Sequence, residues 1–389
     1  MEEVRNYLIN KFFENFKKAP VDFFVSPGRL EVIGNHTDHN HGLALVASAS
    51  LYIKGAVNKN EANVINLISE GSGEYQIDAI YSEPNEEFYS STESLIKGIV
   101  SGFISRGYQV GGFDAYLISE VLPGSGISSS AAFELMICEI LNYLYNDDSI
   151  SKVELAKIAQ MAERDYFGKP CGLLDQIGCA SGGISYVDFA NPIEPKVKNT
   201  KFPFDVKIVL TNPGGNHEGL TSYYASIPLD MKKVASSLGK EFLRETKEED
   251  FVNLVNNNPH LLGEREIARA HHFYDENKRV NIAFNSLKEN DLSSFLKAIN
   301  ERGLSSSTLL MNTQVPGKYA NSPERALEIA RKVAPKSAHR VHGGGFMGTI
   351  ISFVNKDEYE PLVNAMKETF GKESVIDVSI SPYGASKIE

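Results

Sequence analysis

Residues 122–146, LPGSGISSSAAFELMICEILNYLYN, join a strand end to a long apolar helix through a turn built from two glycines and three consecutive serines. Gly124 and Gly126 allow a tight turn, and the serines offer capping hydroxyls, so the amides that open the helix face a loop. That pattern suits an anion: the segment Pro123, Gly124, Ser125, Gly126, Ile127, Ser128, Ser129, Ser130 reads as a cradle for phosphate, with a plain helix cap as the alternative. It is not the lysine-bearing phosphate loop, because no lysine follows the glycines, nor is it a dinucleotide fingerprint. Ser130 can lend its hydroxyl to a magnesium ion, which takes oxygen ligands and keeps several waters, so Ser130 and one carboxylate suffice beside bound phosphates. Glu163 is the candidate carboxylate. It borders the apolar face Leu155, Ile158, Ala159 and Ala162 of the next helix, where an unpaired charge is costly, so a metal or a basic partner is expected beside it.

Asp175 lies in the Gly- and Leu-rich run GKPCGLLDQIG. A carboxylate in such surroundings has a raised pKa unless a cation stands next to it, and it suits acid–base work or the orientation of a nucleophile. Capping a helix or closing a turn is the bland alternative. Arg29, in Ser26-Pro27-Gly28-Arg29, is the candidate cation and can also stabilise charge on a phosphoryl group in transfer. The cluster Asn35-His36-Thr37-Asp38-His39-Asn40-His41 is dense in directional donors and acceptors, as a polyol requires. Its histidines raise a zinc reading, opposed by the lack of nearby cysteine and by spacings of three and then two that fit no metal motif; a solvated loop is a further alternative. Gly343, Gly344 and Gly345 either pack elements closely or wall a site. Tyr223 and Tyr224 either cover a sugar face or belong to the core. Cys171 reads as packing and Lys169-Pro170 as a turn.

The elements that position these groups follow from pattern and composition. A chain of 389 residues that is 42% hydrophobic supports two cores, and the polar, Pro-containing stretch 190–205 is the candidate boundary, giving domains 1–200 and 201–389. Helices are expected over 1–18, 91–106, 151–167 and 357–370, with helical patterns from 229 to 303. A further helix starts at Ser322-Pro323-Glu324 and ends before Pro335. Strands are expected over 21–25, 113–119, 184–189, 206–210 and 375–380. The net charge of −11 argues against a nucleic-acid partner, and three irregularly spaced cysteines fit a reducing, cytoplasmic setting. The acid-containing amphipathic start and the lack of a long apolar stretch argue against export or a membrane.

Three separated motifs, SPGRLEVIGNHTDHNHG, LPGSGISSSAA and HGGGFMG, with AQMAERDYFGKPCGLLDQ between the last two, resemble the sugar-kinase branch of the family that unites galactokinase, homoserine kinase, mevalonate kinase and phosphomevalonate kinase. The resemblance spans essentially the whole chain. It implies an α+β fold of two domains, the N-terminal one ribosomal-protein-S5-like and the C-terminal one ferredoxin-like. It also implies a kinase using ATP and Mg2+, in which the C1 hydroxyl of a galactose-type sugar attacks the γ-phosphate to give sugar 1-phosphate and ADP. Carried over by motif, Asp175 and Arg29 are catalytic, Ser130 and Glu163 bind magnesium, residues 123–130 hold the phosphates, and Asn35, His36, Asp38, Gly172, Asp175 and Tyr224 contact the sugar. The partner is then a small-molecule sugar, and the protein a monomer or weak homo-oligomer. Asn35 stands where galactokinases carry glutamate, His39 where they carry tyrosine, and Arg164 where they carry histidine. A neutral Asn35 removes a repulsion against a C6 carboxylate and admits galacturonate; N-acetylgalactosamine, or a sensor that binds sugar and ATP without turnover, are the other readings.

Overall fold

The computed structural model describes residues 2–121, 124, 126–215 and 219–389. Its first strands are β1 (Asp22–Ile33), β2 (Leu43–Lys59), β3 (Val64–Ser69), β4 (Gly73–Asp78) and β5 (Phe113–Ser119). They are followed by β6 (Ile184–Asp188), β7 (Lys196–Thr200), β8 (Lys207–Thr211), β9 (Ala338–Val341), β10 (Ile350–Val354), β11 (Val375–Val378) and β12 (Ser386–Ile388). The helices begin with α1 (Glu2–Phe16), α2 (Thr92–Ser105), α3 (Ser129–Asn146), α4 (Lys152–Met161) and α5 (Leu174–Ser181). The rest are α6 (Thr221–Ser237), α7 (Glu248–Asn257), α8 (Glu264–Glu289), α9 (Leu292–Ser305), α10 (Pro323–Val333) and α11 (Tyr359–Phe370). No described helix is long and apolar enough to cross a membrane.

Packing divides the chain into two units, one made of the chain through Arg29 with Ala47–Gly183 and Ile380–Glu389, the other of Leu30–Val46 and Ile184–Ser379. This grouping differs from a single cut at residue 200. The long strands β1 and β2 each run on from one unit to the other, and the C-terminal β12 pairs back onto β1, with Phe23 opposite Ile388.

In the first unit the strands run in the order β12-β1-β2-β5-β3-β4. β2 and β5 are antiparallel, β3 and β5 parallel, and β3 and β4 form a hairpin. Leu8 and Phe12, four residues apart on one face of α1, bury against Phe23, Ala56 and Tyr116 of the sheet. The expected short strand at 21–25 instead continues as β1 through Ser26-Pro27-Gly28-Arg29 to Ile33. Pro27, which has no N–H to donate, falls just past the residues that pair with β12. Gly28 is required by a close approach: a Cβ there would lie 2.8 Å from the carbonyl oxygen of Ile127, and the next amide, of Arg29, donates to that oxygen at 2.8 Å. The strand is thereby fastened to the serine-rich loop.

The expected helix over 151–167 starts as read, with the Ser151 hydroxyl accepting from the Glu154 amide at 3.2 Å. The reciprocal half of the capping box is missing, because the Glu154 carboxylate pairs with Arg106 and Lys157. After Met161 the helix widens into a π-turn over Ala162–Tyr166, a distortion common where a helix re-aims a functional side chain. Gly98 and Gly102 on α2 admit this segment: a Cβ at Gly98 would meet Tyr166 at 2.8 Å and one at Gly102 would meet Met161 at 2.6 Å.

In the second unit β11-β8-β10-β9 form an antiparallel sheet, and β6 and β7 a hairpin. Ala326, Leu327 and Ala330 of α10 and Leu362 and Met366 of α11 pack with Val209, Ile350 and Val354 of that sheet. Ser322 caps α10 by accepting from the Arg325 amide, Pro323 occupies its first turn, and the helix stops at Val333, before Pro335, as the sequence predicts. The helical region begins earlier than expected, at Thr221, and contains Pro228. A mixed sheet with helices and a four-stranded antiparallel sheet with helices together make the two-domain α+β fold expected of the chain.

Candidate active site

The first unit gathers the loop, Arg29, Glu163 and Asp175. Pro123 and Ser125 of the expected cradle lie outside the described residues; Gly124 and Gly126 both adopt positive φ, +78° and +82°, and are exposed. Ile127 is buried, and Ser128 takes the left-handed conformation at φ +61°, strained for a serine. Its hydroxyl does not cap α3. Ser128 instead donates to Asp175 Oδ2, and Ser130 donates to Glu163 Oε1 at 2.8 Å. The serines therefore tie the loop to the two carboxylates, and the amides at the N-terminus of α3 keep their anion-binding character.

Asp175 stands in the first turn of α5. Arg29 holds it through both carboxylate oxygens, Nε to Oδ1 at 2.6 Å and Nη2 to Oδ2 at 3.0 Å, and donates from Nη1 to the Gly126 carbonyl at 2.7 Å. Burial alone would raise this carboxyl, but the Arg29 charge, the bonds from Ser128 and Arg29, and the Lys169 charge outweigh it and hold the pKa below the usual aspartate value. Asp175 is thus a carboxylate at neutral pH, with its side chain 35% exposed. The expected cation beside Asp175 is Arg29.

Glu163 projects from the π-turn and is only 2% exposed. Its Oε1 accepts from Ser130 and, at 2.6 Å, from Lys169 Nζ; its Oε2 accepts from Gln176 Nε2 at 2.8 Å. Lys169 is the basic partner that the sequence demanded at Glu163 but did not identify. The amide of Gln176 also donates to Glu134 Oε2 at 3.1 Å. Burial, then the charge of Glu163, pushes the Glu134 carboxyl well above the carboxylate range, so it is a neutral acid. Glu134 and Gln176 are the participants that sequence reasoning missed. The available signal was spacing: Ser130 and Glu134 are four apart on one face of α3, and an acid inside an apolar helix needs a partner. Burial and Glu163 push the Cys171 thiol upward, in keeping with a packing role, and Gly172 lies part-exposed in the loop that leads into α5.

Ser130 Oγ and Glu163 Oε1 are two converging hard oxygens, the donor type that a magnesium ion prefers. Among the described residues no group of three or more His, Cys, Asp or Glu is placed to hold a metal by itself.

The second unit holds the polar cluster after β1. Much of it is engaged internally. Thr37 donates to the carbonyls of Gly34 and Leu43, Asn40 accepts from the Leu243 amide, and His41 stacks on Phe242 with ring centroids 3.8 Å apart. Asn35, 2% exposed, donates from Nδ2 to both oxygens of Glu31 at 3.1 Å and to the Gly343 carbonyl at 2.7 Å, and accepts from Asn312 at 3.1 Å. His36 donates from Nε2 to the Gly344 carbonyl at 3.1 Å; burial, then the neighbouring His39, lowers its pKa to about 4, so the ring is neutral. Asp38 is part-exposed, with the His39 ring nitrogen 3.7 Å away. Tyr224 sits on the first turn of α6, donates to the Gly345 carbonyl at 3.1 Å and packs edge-on against Phe346. A Cβ at Gly344 would lie 2.5 Å from the Tyr224 ring, so this glycine run is a packing device for Tyr224.

Beneath Asn35 lies a buried ionic cluster. Glu31 accepts from Arg340, and Glu276 accepts from Arg279 and from the Gly34 and Asn35 amides. Arg302, 0% exposed, approaches Glu276 at 3.5 Å and Glu31 at 3.8 Å, and none of its three nitrogens has a hydrogen-bond partner among the described residues. Arg279, Arg302 and Arg340 are gathered around the carboxylates of Glu31 and Glu276. Burial, then the charge of Arg340, lowers Arg302 to about 9. His272 donates from Nε2 to the Asn35 carbonyl and is held neutral, its pKa lowered by burial to about 3.

Comparison with known proteins agrees with the two-domain α+β fold. The GHMP kinases N-terminal domain matches residues 94–183, and the Galactokinase galactose-binding signature matches residues 10–59. A galactokinase of Clostridium tetani is 29% identical over 94% of this chain and 92% of its own length. A galactokinase of Lactococcus lactis subsp. cremoris is 29% identical over 98% and 95%. The solved Lactococcus lactis galactokinase complexed with galactose superposes with a TM-score of 0.82 at 24% identity, covering 99% of this chain and 100% of that one. The solved L. major mevalonate kinase in complex with R-mevalonate superposes with a TM-score of 0.62 at 16% identity, covering 94% of this chain and 99% of that one.

Proposed function

We propose that this chain, a galactokinase-like member of the GHMP kinase family, is a sugar-directed kinase that transfers the γ-phosphoryl group of ATP to the anomeric C1 hydroxyl of a galactose-type sugar, giving sugar 1-phosphate and ADP. The observation that carries this reading is the two-point bond between Arg29 and Asp175, joined to the loop through Ser128 and Gly126. It keeps Asp175 ionised, so that it can accept the proton of an attacking hydroxyl or orient that hydroxyl, with Arg29 next to charge that develops on the phosphoryl group. The described residues of the loop and the start of α3 supply amides for the phosphates. Ser130 and Glu163 would hold Mg2+, which when bound neutralises phosphate charge. His36, Asp38, Gly172 and Tyr224 are the proposed sugar contacts, and Asn35 shapes that wall through its bonds to Glu31, Asn312 and Gly343. Most of the acceleration would come from positioning and charge compensation.

One observation favours a second substrate. The buried Arg302 guanidinium, whose nitrogens meet no hydrogen-bond partner among the described residues, next to a neutral Asn35, favours a sugar that carries a carboxylate, such as galacturonate. An ADP-release assay over galactose, galacturonate, N-acetylgalactosamine and glucose tests both readings. Turnover of galactose without galacturonate rejects the uronate, the reverse rejects galactose as the principal acceptor, and binding of sugar and ATP with no ADP release rejects a kinase in favour of a sensor.

A further inference from the structure

We infer that Lys169 is a phosphate-binding residue that, before nucleotide arrives, stands in for the metal at Glu163; this rests on the magnesium–ATP reading of the loop. Lys169 Nζ lies 2.6 Å from Glu163 Oε1 and 3.4 Å from Ser130 Oγ, while Ser130 donates to that same Oε1 at 2.8 Å. The ammonium therefore covers the two oxygens assigned to Mg2+. A divalent ion that ligates both oxygens has to displace it, because two cations cannot occupy one coordination position.

The construction of the site allows that exchange. Glu163 is nearly inaccessible, and its second oxygen is held by Gln176, so its charge needs a constant counter-ion. The Lys169 side chain is 54% exposed, and its backbone amide is anchored to the Glu163 carbonyl at 3.0 Å. The stem is thus fixed at its base and free to swing at its tip. Once displaced, the ammonium stays tethered beside the loop, where an ATP phosphate offers the nearest replacement for the lost carboxylate. A compact, flexible point charge suits such a hand-over better than a planar guanidinium does. An ordinary surface ion pair would have both partners in water and contribute little; here the acid is buried and the base is not. In the sequence the residue reads only as part of a Lys-Pro turn.

The full chain is compared with Lys169→Gln, which still donates to Glu163 but carries no charge, and with Lys169→Arg, which keeps the charge. Calorimetric titration with ATP in EDTA is expected to show binding by the unmodified chain, about tenfold or more weaker in K169Q and largely kept in K169R. Titration of Mg2+ into the nucleotide-free protein is expected to show a lower Mg2+ midpoint in K169Q, since no cation has to leave; a purely structural lysine would not move that midpoint. Equal metal-free ATP affinity in the unmodified chain and K169Q, or an unmoved Mg2+ midpoint, overturns the role of Lys169 alone. Failure of the unmodified chain to bind AMP-PNP even with Mg2+ overturns the kinase reading as well.

Discussion

The two polar clusters of the molecule manage charge in opposite ways. Around Asp175 and Glu163 the acids are matched by Arg29 and Lys169, two of the serines donate to carboxylates instead of capping their helix, and Lys169 and Asp175 reach solvent. Around Asn35 most groups are buried and their bonds close on one another. Under the proposed function, the first arrangement exchanges partners when a polyanion arrives, and the second is a fixed wall that distinguishes one sugar from another.

The contrast predicts different consequences for mutation. Asp175→Asn is expected to lower turnover by about a thousandfold while leaving ATP affinity and the circular dichroism spectrum nearly unchanged; near-full turnover would remove Asp175 from the chemistry. Glu276→Gln, in the other cluster, is expected to cost about 3–5 kcal/mol in urea unfolding, because buried Arg279 and Arg302 would lose their shared carboxylate. Arg302→Met is expected to be neutral or stabilising, since it removes a buried guanidinium whose three nitrogens have no hydrogen-bond partner among the described residues. A large loss in that variant would mean that the guanidinium is well compensated. It is also expected to weaken any preference for galacturonate over galactose.

Acid separates the clusters by pH. His272 and His36 have folded pKa values near 3 and 4, well below the usual histidine value. The unfolded chain therefore takes up protons first as pH falls, and stability present above about pH 6.5 is lost by about 1.4 kcal/mol per pH unit for each ring, down to the folded pKa. Asp175 is also depressed, so its contribution is present above the ordinary aspartate pKa of about 3.9 and is lost only below it. Urea unfolding between pH 7 and 5 is expected to show the histidine slope; a flat profile would mean that these rings are not held neutral. The smallest effects are expected at the helix caps, where Ser151→Ala in one unit and Ser322→Ala in the other each cost about 1 kcal/mol.

What the sequence made legible was local. The glycine and serine turn before α3, the Ser-Pro-Glu start of α10 and the need for a counter-charge at Glu163 and Asp175 all follow from spacing within a few residues. What it hid depends on contacts between distant segments. The Lys169 ammonium reaches Glu163 only because the π-turn over Ala162–Tyr166 aims the acid toward the loop, and α-helical periodicity gives no sign of that extra residue per turn. Gly28 looks like part of a turn until Ile127 is found against it, and β1 accordingly runs on. In the stretch 35–41 the density of polar side chains was visible, but not that Thr37, Asn40 and His41 serve the fold, leaving His36, Asp38 and His39 as the less committed members.

The central claim is that Asp175, held by Arg29, directs an anomeric hydroxyl onto the γ-phosphate. Its most direct test is phosphorus–proton NMR of the product formed from ATP, Mg2+ and galactose or galacturonate by the unmodified chain and by Asp175→Asn. The account predicts a phosphorus signal coupled to the sugar H1 that nearly disappears in the variant. Phosphate on any other carbon, or undiminished product from the variant, would contradict it.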